Sequence, residues 1–474
     1  MKAFAIFSKR FVEDAMASFI GSAAAMRRRL VPLVFGIVFA YAAASQVGTA
    51  QVAPAKAPHW VAAWTASAHG PYPIGNPTAQ PELKFAFPDA ARGAVDQSFR
   101  MIVRPDIWGK QARIRLSNAF GTQPVTFDGA YIALQTSGSA LLPGTSRAVT
   151  FAGKPSVTVG PGKDVVSDAV SLPFVKNGAD PMLVGRRLAV SFHVAGESGP
   201  MTWHAKALTT SYLTAPGAGA HGGDESELAF PLSSTSWYFL DDVEMTAPPA
   251  TRVIVAFGDS LTDGTASTLN GDDRWPDVFA RHLHAVSGNR YSVVNEGIGG
   301  NQVIGPTDYA TKPIPGGPSA LDRLQRDVIS LPGVSTVIWL EGINDFGAAS
   351  ASAQAVSDGV RAGVTRLRER IPGVRIYMAT LTGALNSTPT HGTPEVEAKR
   401  KEYNTFIRGA GIFDGVIDFD VITLDPKTGE LKAEYQPNST TGGPGDKLHP
   451  NRAGYAAMGN GIDLKMIVGK RVGK

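Results

Sequence analysis

The sequence predicts an α/β fold, a parallel sheet covered by helices, preceded by an antiparallel, jelly-roll-like β-sandwich domain. Three observations carry this. From residue 252 onward, short β-branched runs alternate with amphipathic helical stretches, which is the pattern of a parallel sheet with helices on both faces. Between residues 59 and 245 the chain shows short strands, Gly/Pro turns and no long helical periodicity. Between the two, the segment 246–251 (Thr246-Ala247-Pro248-Pro249-Ala250-Thr251) reads as a linker by composition.

The elements follow in order. Residues 1–50 read as an export signal: Arg27-Arg28-Arg29, then an apolar run from Leu30 to Ala44, then small residues to Ala50. Met26 directly precedes the arginines and is the alternative start. The apolar run is short for a membrane span. The expectation is an exported protein, extracellular or periplasmic, with no stable membrane insertion once the signal is cleaved. Residues 51–58 form an Ala/Pro/Lys linker. In the sandwich, strands are expected at Val95–Val103, Ala112–Leu116, Val157–Val159 and Leu188–Val194, the second and fourth alternating between apolar and polar or small residues. His193 and His204 are explained as strand residues. In the region 252–474, strands are expected at Val253–Phe257, Tyr291–Val294, Val334–Leu340, Val374–Thr380 and Val416–Phe419. Pro276 opens a helix that Gly288 closes. Leu321, Leu324, Val328 and Leu331 share one helical face, as do Val356, Val360, Val364, Leu367 and Ile371. Thr393-Pro394 starts a further helix, with Thr as its cap.

Composition narrows the function. A chain of 474 residues, 43% hydrophobic and 18% charged, buries a large core. The signal segment holds Lys2, Lys9, Arg10 and the three arginines against Glu13 and Asp14. Of the 45 basic and 41 acidic side chains, the remainder keeps equal numbers. A formally neutral mature chain gives no argument for nucleic acid or an anionic membrane as partner. There is no cysteine, which excludes a thiol nucleophile, thiolate zinc and iron–sulfur sites. Export is compatible with that, because a large core needs no disulfides. Gly-x-Ser-x-Gly, a phosphate loop and His-Glu-x-x-His are all missing from the sequence.

Four segments carry chemistry, and three directly follow expected strands. They are Gly258-Asp259-Ser260-Leu261, Asn295-Glu296-Gly297-Ile298-Gly299-Gly300-Asn301, Glu341-Gly342-Ile343-Asn344-Asp345 and Asp446-Lys447-Leu448-His449-Pro450. Each alone also reads as a turn or helix cap. Together they supply a nucleophile, two kinds of oxyanion donor and a base with its orienter. Ser260 stands at the C-terminal edge of a strand, where open α/β sheets bind ligands. A tetrahedral oxyanion needs preorganised donors. The Ser260 N–H, a glycine N–H of the second segment and the Asn344 amide can provide them. His449 is matched to base duty at neutral pH, and Asp446 can curl back to its other ring nitrogen. Asp259, Asp263 and Asp345 are read as turn and network residues.

These four segments resemble the sequence blocks of the SGNH/GDSL hydrolase superfamily of serine esterases and lipases. The resemblance covers the chain from about Arg252 to the end. A second resemblance, to secreted GDSL-type esterases with an N-terminal β-domain, rests on Arg115–Gly121 and Ser236–Leu240. The first implies Ser260 as nucleophile, His449 as base with Asp446, and an oxyanion hole of Ser260, Gly300 and Asn344. Gly297 and Gly299 are the alternatives to Gly300, which the family spacing favours. It also implies a three-layer α/β/α, flavodoxin-like domain with a five-stranded parallel sheet, and no cofactor or metal. The expected activity is carboxylic ester hydrolysis of a small-molecule or glycan ester through an acyl-enzyme, with O-deacetylation of a carbohydrate as the leading substrate class. Short-chain lipase, arylesterase, thioesterase or acyl-transfer activity is the alternative within enzymes, and a non-hydrolytic glycan-binding protein is the alternative outside them. Substrate choice is expected in the irregular stretches 302–319, 381–393 and 423–445, with Tyr309 and Tyr435 as possible pocket residues.

Overall fold

The structure, a computed structural model, describes residues 57–469. The signal expected over residues 1–50 lies outside them. A compact unit begins at Pro58.

The five strands of the parallel sheet, here β1 to β5, are Arg252–Gly258, Tyr291–Gly297, Val334–Leu340, Arg375–Ala379 and Gly415–Ile417. They pair in parallel in the order β2-β1-β3-β4-β5, the flavodoxin-like order. Val253 through Phe257 are fully buried, because helices and the N-terminal region cover the sheet and leave no face for polar alternation. The chain runs outward from β1 to β2 and then returns across β1 to β3. That reversal leaves a crevice beyond the C-terminal ends of β1 and β3.

The helices, α1 to α9, are Ser260–Asp263, Trp275–Ser287, Ala320–Leu324, Ile343–Gly347, Ala353–Arg370, Pro394–Gly409, Phe419–Thr423, Arg452–Asn460 and Leu464–Val468. Pro276 lies in the first turn of α2 and Gly288 closes it at φ +56. In α5 the stripe Val356, Val360, Val364 and Leu367 is buried, and the Thr393 hydroxyl caps α6 by accepting from the Val396 N–H. The stripe Leu321–Leu331 is less regular than expected. Helix α3 gives way to a π-helical turn at Gln325–Ile329, yet Leu324 and Val328 stay fully buried.

The N-terminal region is antiparallel. One sheet orders Trp60–Thr65, Leu240–Thr246, Gln111–Ser117 and Val170–Ser171 side by side. A second is centred on Leu188–Glu197 between Val95–Val103 and Val125–Ser137. A small third sheet places Thr202–His204 between Gly70–Pro71 and Trp237–Tyr238. Leu188–Val194 is not half-exposed as its alternation implied; all seven residues are buried. Its polar members are satisfied internally: Ser191 Oγ accepts from Arg100 Nε at 2.9 Å, and the His193 ring lies between Asp128 and Asp96. The strand Trp60–Thr65 packs beside β2. There the Ser292 hydroxyl donates to the Ala62 carbonyl, and the Ala62 N–H donates to Pro332. One hydrophobic core runs through both regions.

Candidate active site

Strand β1 ends at a glycine for a steric reason. A Cβ on Gly258 would sit 2.1 Å from the Leu340 carbonyl oxygen of β3. The chain then turns, and Asp259 caps α1 by accepting from the Leu261 N–H at 2.9 Å. Gly264, at φ +95, closes this one-turn helix with its N–H on the Ser260 carbonyl. Ser260 is therefore the first residue of a helix, where backbone N–H groups have no intrahelical acceptor.

The Ser260 hydroxyl lies 2.8 Å from His449 Nε2, and His449 Nδ1 lies 2.5 Å from Asp446 Oδ2. The second oxygen of Asp446 accepts from the Leu448 and His449 N–H groups, both at 2.9 Å. Lys447 takes φ +59 inside this tight turn, which lets the carboxylate fold back on the ring three residues later. Burial works against the Asp446 anion, but the bond from the imidazole and the two backbone donors outweigh it and hold the carboxyl below its usual range. An ionised acceptor at Nδ1 keeps the ring proton there and leaves Nε2 free to accept from the serine. Asn451, just beyond, caps α8 and fixes where this turn meets the helix.

The three glycines of the second segment differ in what their N–H groups meet. That of Gly297 donates to Asn295 Oδ1 and that of Gly299 to Asp263 Oδ2, each at 2.9 Å. Among the described residues, no backbone or side-chain acceptor takes the N–H of Gly300 or that of Ser260. Gly300 adopts φ +85, and a Cβ there would come within 3.3 Å of Gly316 Cα. The Asn344 amide nitrogen donates to the Asn301 carbonyl at 2.9 Å and makes only a long contact, 3.5 Å, with Asp259 Oδ2. Ser260 and Asn344 are each 6% exposed. They lie beyond β1 and β3, at the crevice set by the strand order.

The neighbouring acids are placed as network residues. Besides capping α1, Asp259 is fully buried, and burial, then Glu341, pushes its carboxyl well up. Asp345 accepts from Val303 and Ile304 N–H groups, and burial still raises it to about 6. Asp263 pairs with His204 Nε2 at 3.2 Å and stays below the usual range; burial opposes this, and His204 and Lys206 overcome it.

Several residues around the site have no counterpart among the four segments. His391 Nε2 lies 3.1 Å from Asn344 Oδ1, so it turns the amide nitrogen toward Asn301. Burial, then His449, lowers the His391 pKa. Asn76, His204 and Lys206 come from the antiparallel region. Asn76 Nδ2 donates to the Gly299 carbonyl at 2.7 Å, and Lys206 donates to the Thr265 hydroxyl at 2.7 Å. Tyr309 is buried, and its hydroxyl donates to the His69 carbonyl, so it fastens the 302–319 loop to the antiparallel region. The carbonyl of Tyr435 accepts from the Asn451 N–H. Among the described residues, no group of three or more His, Asp or Glu is placed to hold a metal ion, and no helix is long and apolar enough to cross a membrane.

Residues 256–457 match the model of the GDSL-like lipase/acylhydrolase family. This region is similar to that family of lipases and acylhydrolases. Among solved structures, a carbohydrate acetylesterase family member from Sinorhizobium meliloti is 20% identical, with 46% of this chain and 100% of that chain covered at TM-score 0.36. An aryl esterase from M. smegmatis is 17% identical, with 44% and 95% covered at TM-score 0.34. No curated protein sequence matches the chain.

Proposed function

We propose that the protein is an exported serine carboxylic ester hydrolase working through a Ser260–His449–Asp446 triad. The observation that carries the proposal is the continuous contact from Asp446 through both ring nitrogens of His449 to the Ser260 hydroxyl, at 2.5 and 2.8 Å. Ser260 Oγ attacks the ester carbonyl while its proton passes to His449 Nε2. The oxyanion is met by the Ser260 and Gly300 N–H groups and the Asn344 amide. Collapse expels the alcohol, which takes the proton back from His449, and the acyl group stays on Ser260. A water activated by the same histidine then releases the acid.

Within this class the favoured substrate is an O-acetylated carbohydrate. Two considerations support it: the antiparallel region packs beside the site, with Asn76 on the Gly299 carbonyl, and the similar solved structures include a carbohydrate acetylesterase family member at 20% identity. A short-chain lipase or arylesterase uses the same constellation and differs in acyl preference. Export rests on the sequence of residues 27–50 and is tested by the N-terminus of protein recovered outside the cytoplasm. Hydrolysis of p-nitrophenyl esters from acetyl to dodecanoyl tests the activity. Turnover that is fastest on acetyl and absent from Ser260→Ala is the expected result. A maximum at long chains would replace the acetylesterase reading with a lipase, and full activity in Ser260→Ala would remove the triad.

A further inference from the structure

The N-terminal antiparallel region touches the site at one peptide in particular. Gly299 is held at both of its backbone polar groups. Its N–H donates to Asp263, which is itself paired with His204 of the antiparallel region. Its carbonyl accepts from Asn76 Nδ2 at 2.7 Å. The contact is close on the side-chain side too, since a Cβ on Gly299 would lie 2.9 Å from either terminal atom of Asn76 and 3.0 Å from Lys206 Nζ.

The Gly299 carbonyl and the Gly300 N–H belong to the same planar trans peptide, in which they point in opposite directions. Fixing one aims the other. A Gly-Gly peptide has little intrinsic resistance to rotation, because both flanking residues reach most of backbone space. We propose that Asn76, more than two hundred residues before Gly299 in sequence, is a positioning residue that locks the Gly299–Gly300 peptide plane and directs the Gly300 N–H at the oxyanion. On this account the antiparallel region completes the catalytic site and does more than carry or recognise substrate. The proposal rests on the esterase reading above. It assigns Asn76 no contact with the reacting atoms.

The test is steady-state ester hydrolysis by the full chain carrying Asn76→Ala, Asn76→Asp or Ser260→Ala. Inhibition by an alkyl trifluoromethyl ketone, whose hemiketal oxygen takes the oxyanion position, is measured beside it. A donor that acts on the transition state changes kcat and leaves KM alone. Asn76→Ala is expected to keep KM within about twofold and lose kcat by ~10–100-fold, somewhat less than the ~10²–10³ typical of removing an oxyanion donor outright. Ketone affinity should weaken by a similar factor. Asn76→Asp keeps the side chain's shape and so tests the same point if the alanine variant folds poorly. It should lose at least as much, since a carboxylate would face the Gly299 carbonyl oxygen. Unchanged kcat and ketone affinity in both variants, with Ser260→Ala inactive, would overturn the proposal and leave the esterase reading standing. A rise in KM alone would also overturn it. Turnover retained by Ser260→Ala would overturn both.

Discussion

Gly300 and His391 show how much of the site depends on single residues that give no side chain to the reaction. At φ +85 any side chain on Gly300 is strained by about 1–2 kcal/mol, and its added Cβ would press on Gly316. Gly300→Ala is therefore expected to fold with slightly reduced stability and to lose roughly 10²-fold in kcat, on the scale of one oxyanion donor. Kinetics and thermal melting of the same sample separate the two effects. His391 holds the oxygen of the Asn344 amide. Without it the amide keeps only its nitrogen-end contacts to Asn301 and Asp259, and His391→Ala should lower kcat by about tenfold with little change in KM. Equal kcat in wild type and His391→Ala would show that the nitrogen-end contacts suffice to orient the amide.

At the scale of elements, the site is set by where strands end. Arg323, on α3, is fully buried and ties these ends together. Its guanidinium donates to the carbonyls of Gly258 and Glu296 at 2.8 Å, to Asn301 Oδ1 at 2.6 Å and to Asp327 at 3.1 Å. It thus clamps the C-termini of β1 and β2 and the loop carrying the glycines. Arg323→Met would take this donor from the Gly258, Glu296 and Asn301 acceptors, while the Asp327 carboxylate keeps Arg326. The expected loss is about 1–3 kcal/mol for each buried acceptor left unpaired, read from urea denaturation. The strand ends themselves were legible in the sequence. Each is a β-branched run that stops at Gly or at a polar Gly-containing segment, so the placement of Ser260, Gly300 and Asn344 beyond β1, β2 and β3 could be read locally. The π turn within the α3 stripe could not, because its buried residues keep helical spacing while the backbone changes. The two-sided burial of Leu188–Val194 was also hidden, since serine and histidine resemble solvent-facing residues until Arg100, Asp96 and Asp128 supply partners from other strands.

For the whole molecule, the crowded C-terminal edge of the sheet shapes pH dependence. Glu341, just past the end of β3, is fully buried; its Oε2 accepts from the Trp339 indole N–H at 2.7 Å, and the Arg323 guanidinium lies 4.0 Å from its Oε1. Burial raises it to about 7, in spite of Arg323 and the indole. Below about pH 4 folded and unfolded chains both hold this proton. Between about 4 and 7 only the folded chain holds it, so stability falls as pH rises and levels off above 7. Burial pushes Asp259 and Glu296 in the same direction. Glu341→Gln removes one such proton, so its stability relative to wild type should rise by up to about 3 kcal/mol between pH 4 and 8. A constant difference across that range would mean Glu341 ionises normally. Asp446 acts oppositely and adds an acid-side loss as pH falls through its lowered pKa. The part of the site that local sequence patterns could not reveal also lies at this scale. Asn76 sits in an Ile-Gly-Asn-Pro stretch that reads as an ordinary turn, and His204 reads as a strand residue. Only the packing of the antiparallel region on the sheet brings them to Gly299 and Asp263.

The most direct test of the central claim is covalent capture. The full chain is treated with diethyl p-nitrophenyl phosphate, and the modified peptide is mapped by mass spectrometry. The account predicts one diethylphosphoryl group per chain, on Ser260, with one p-nitrophenolate released for each. It predicts no adduct in Ser260→Ala and slow capture in His449→Ala. Labelling at another residue, or ester turnover that continues once Ser260 is fully modified, would contradict it.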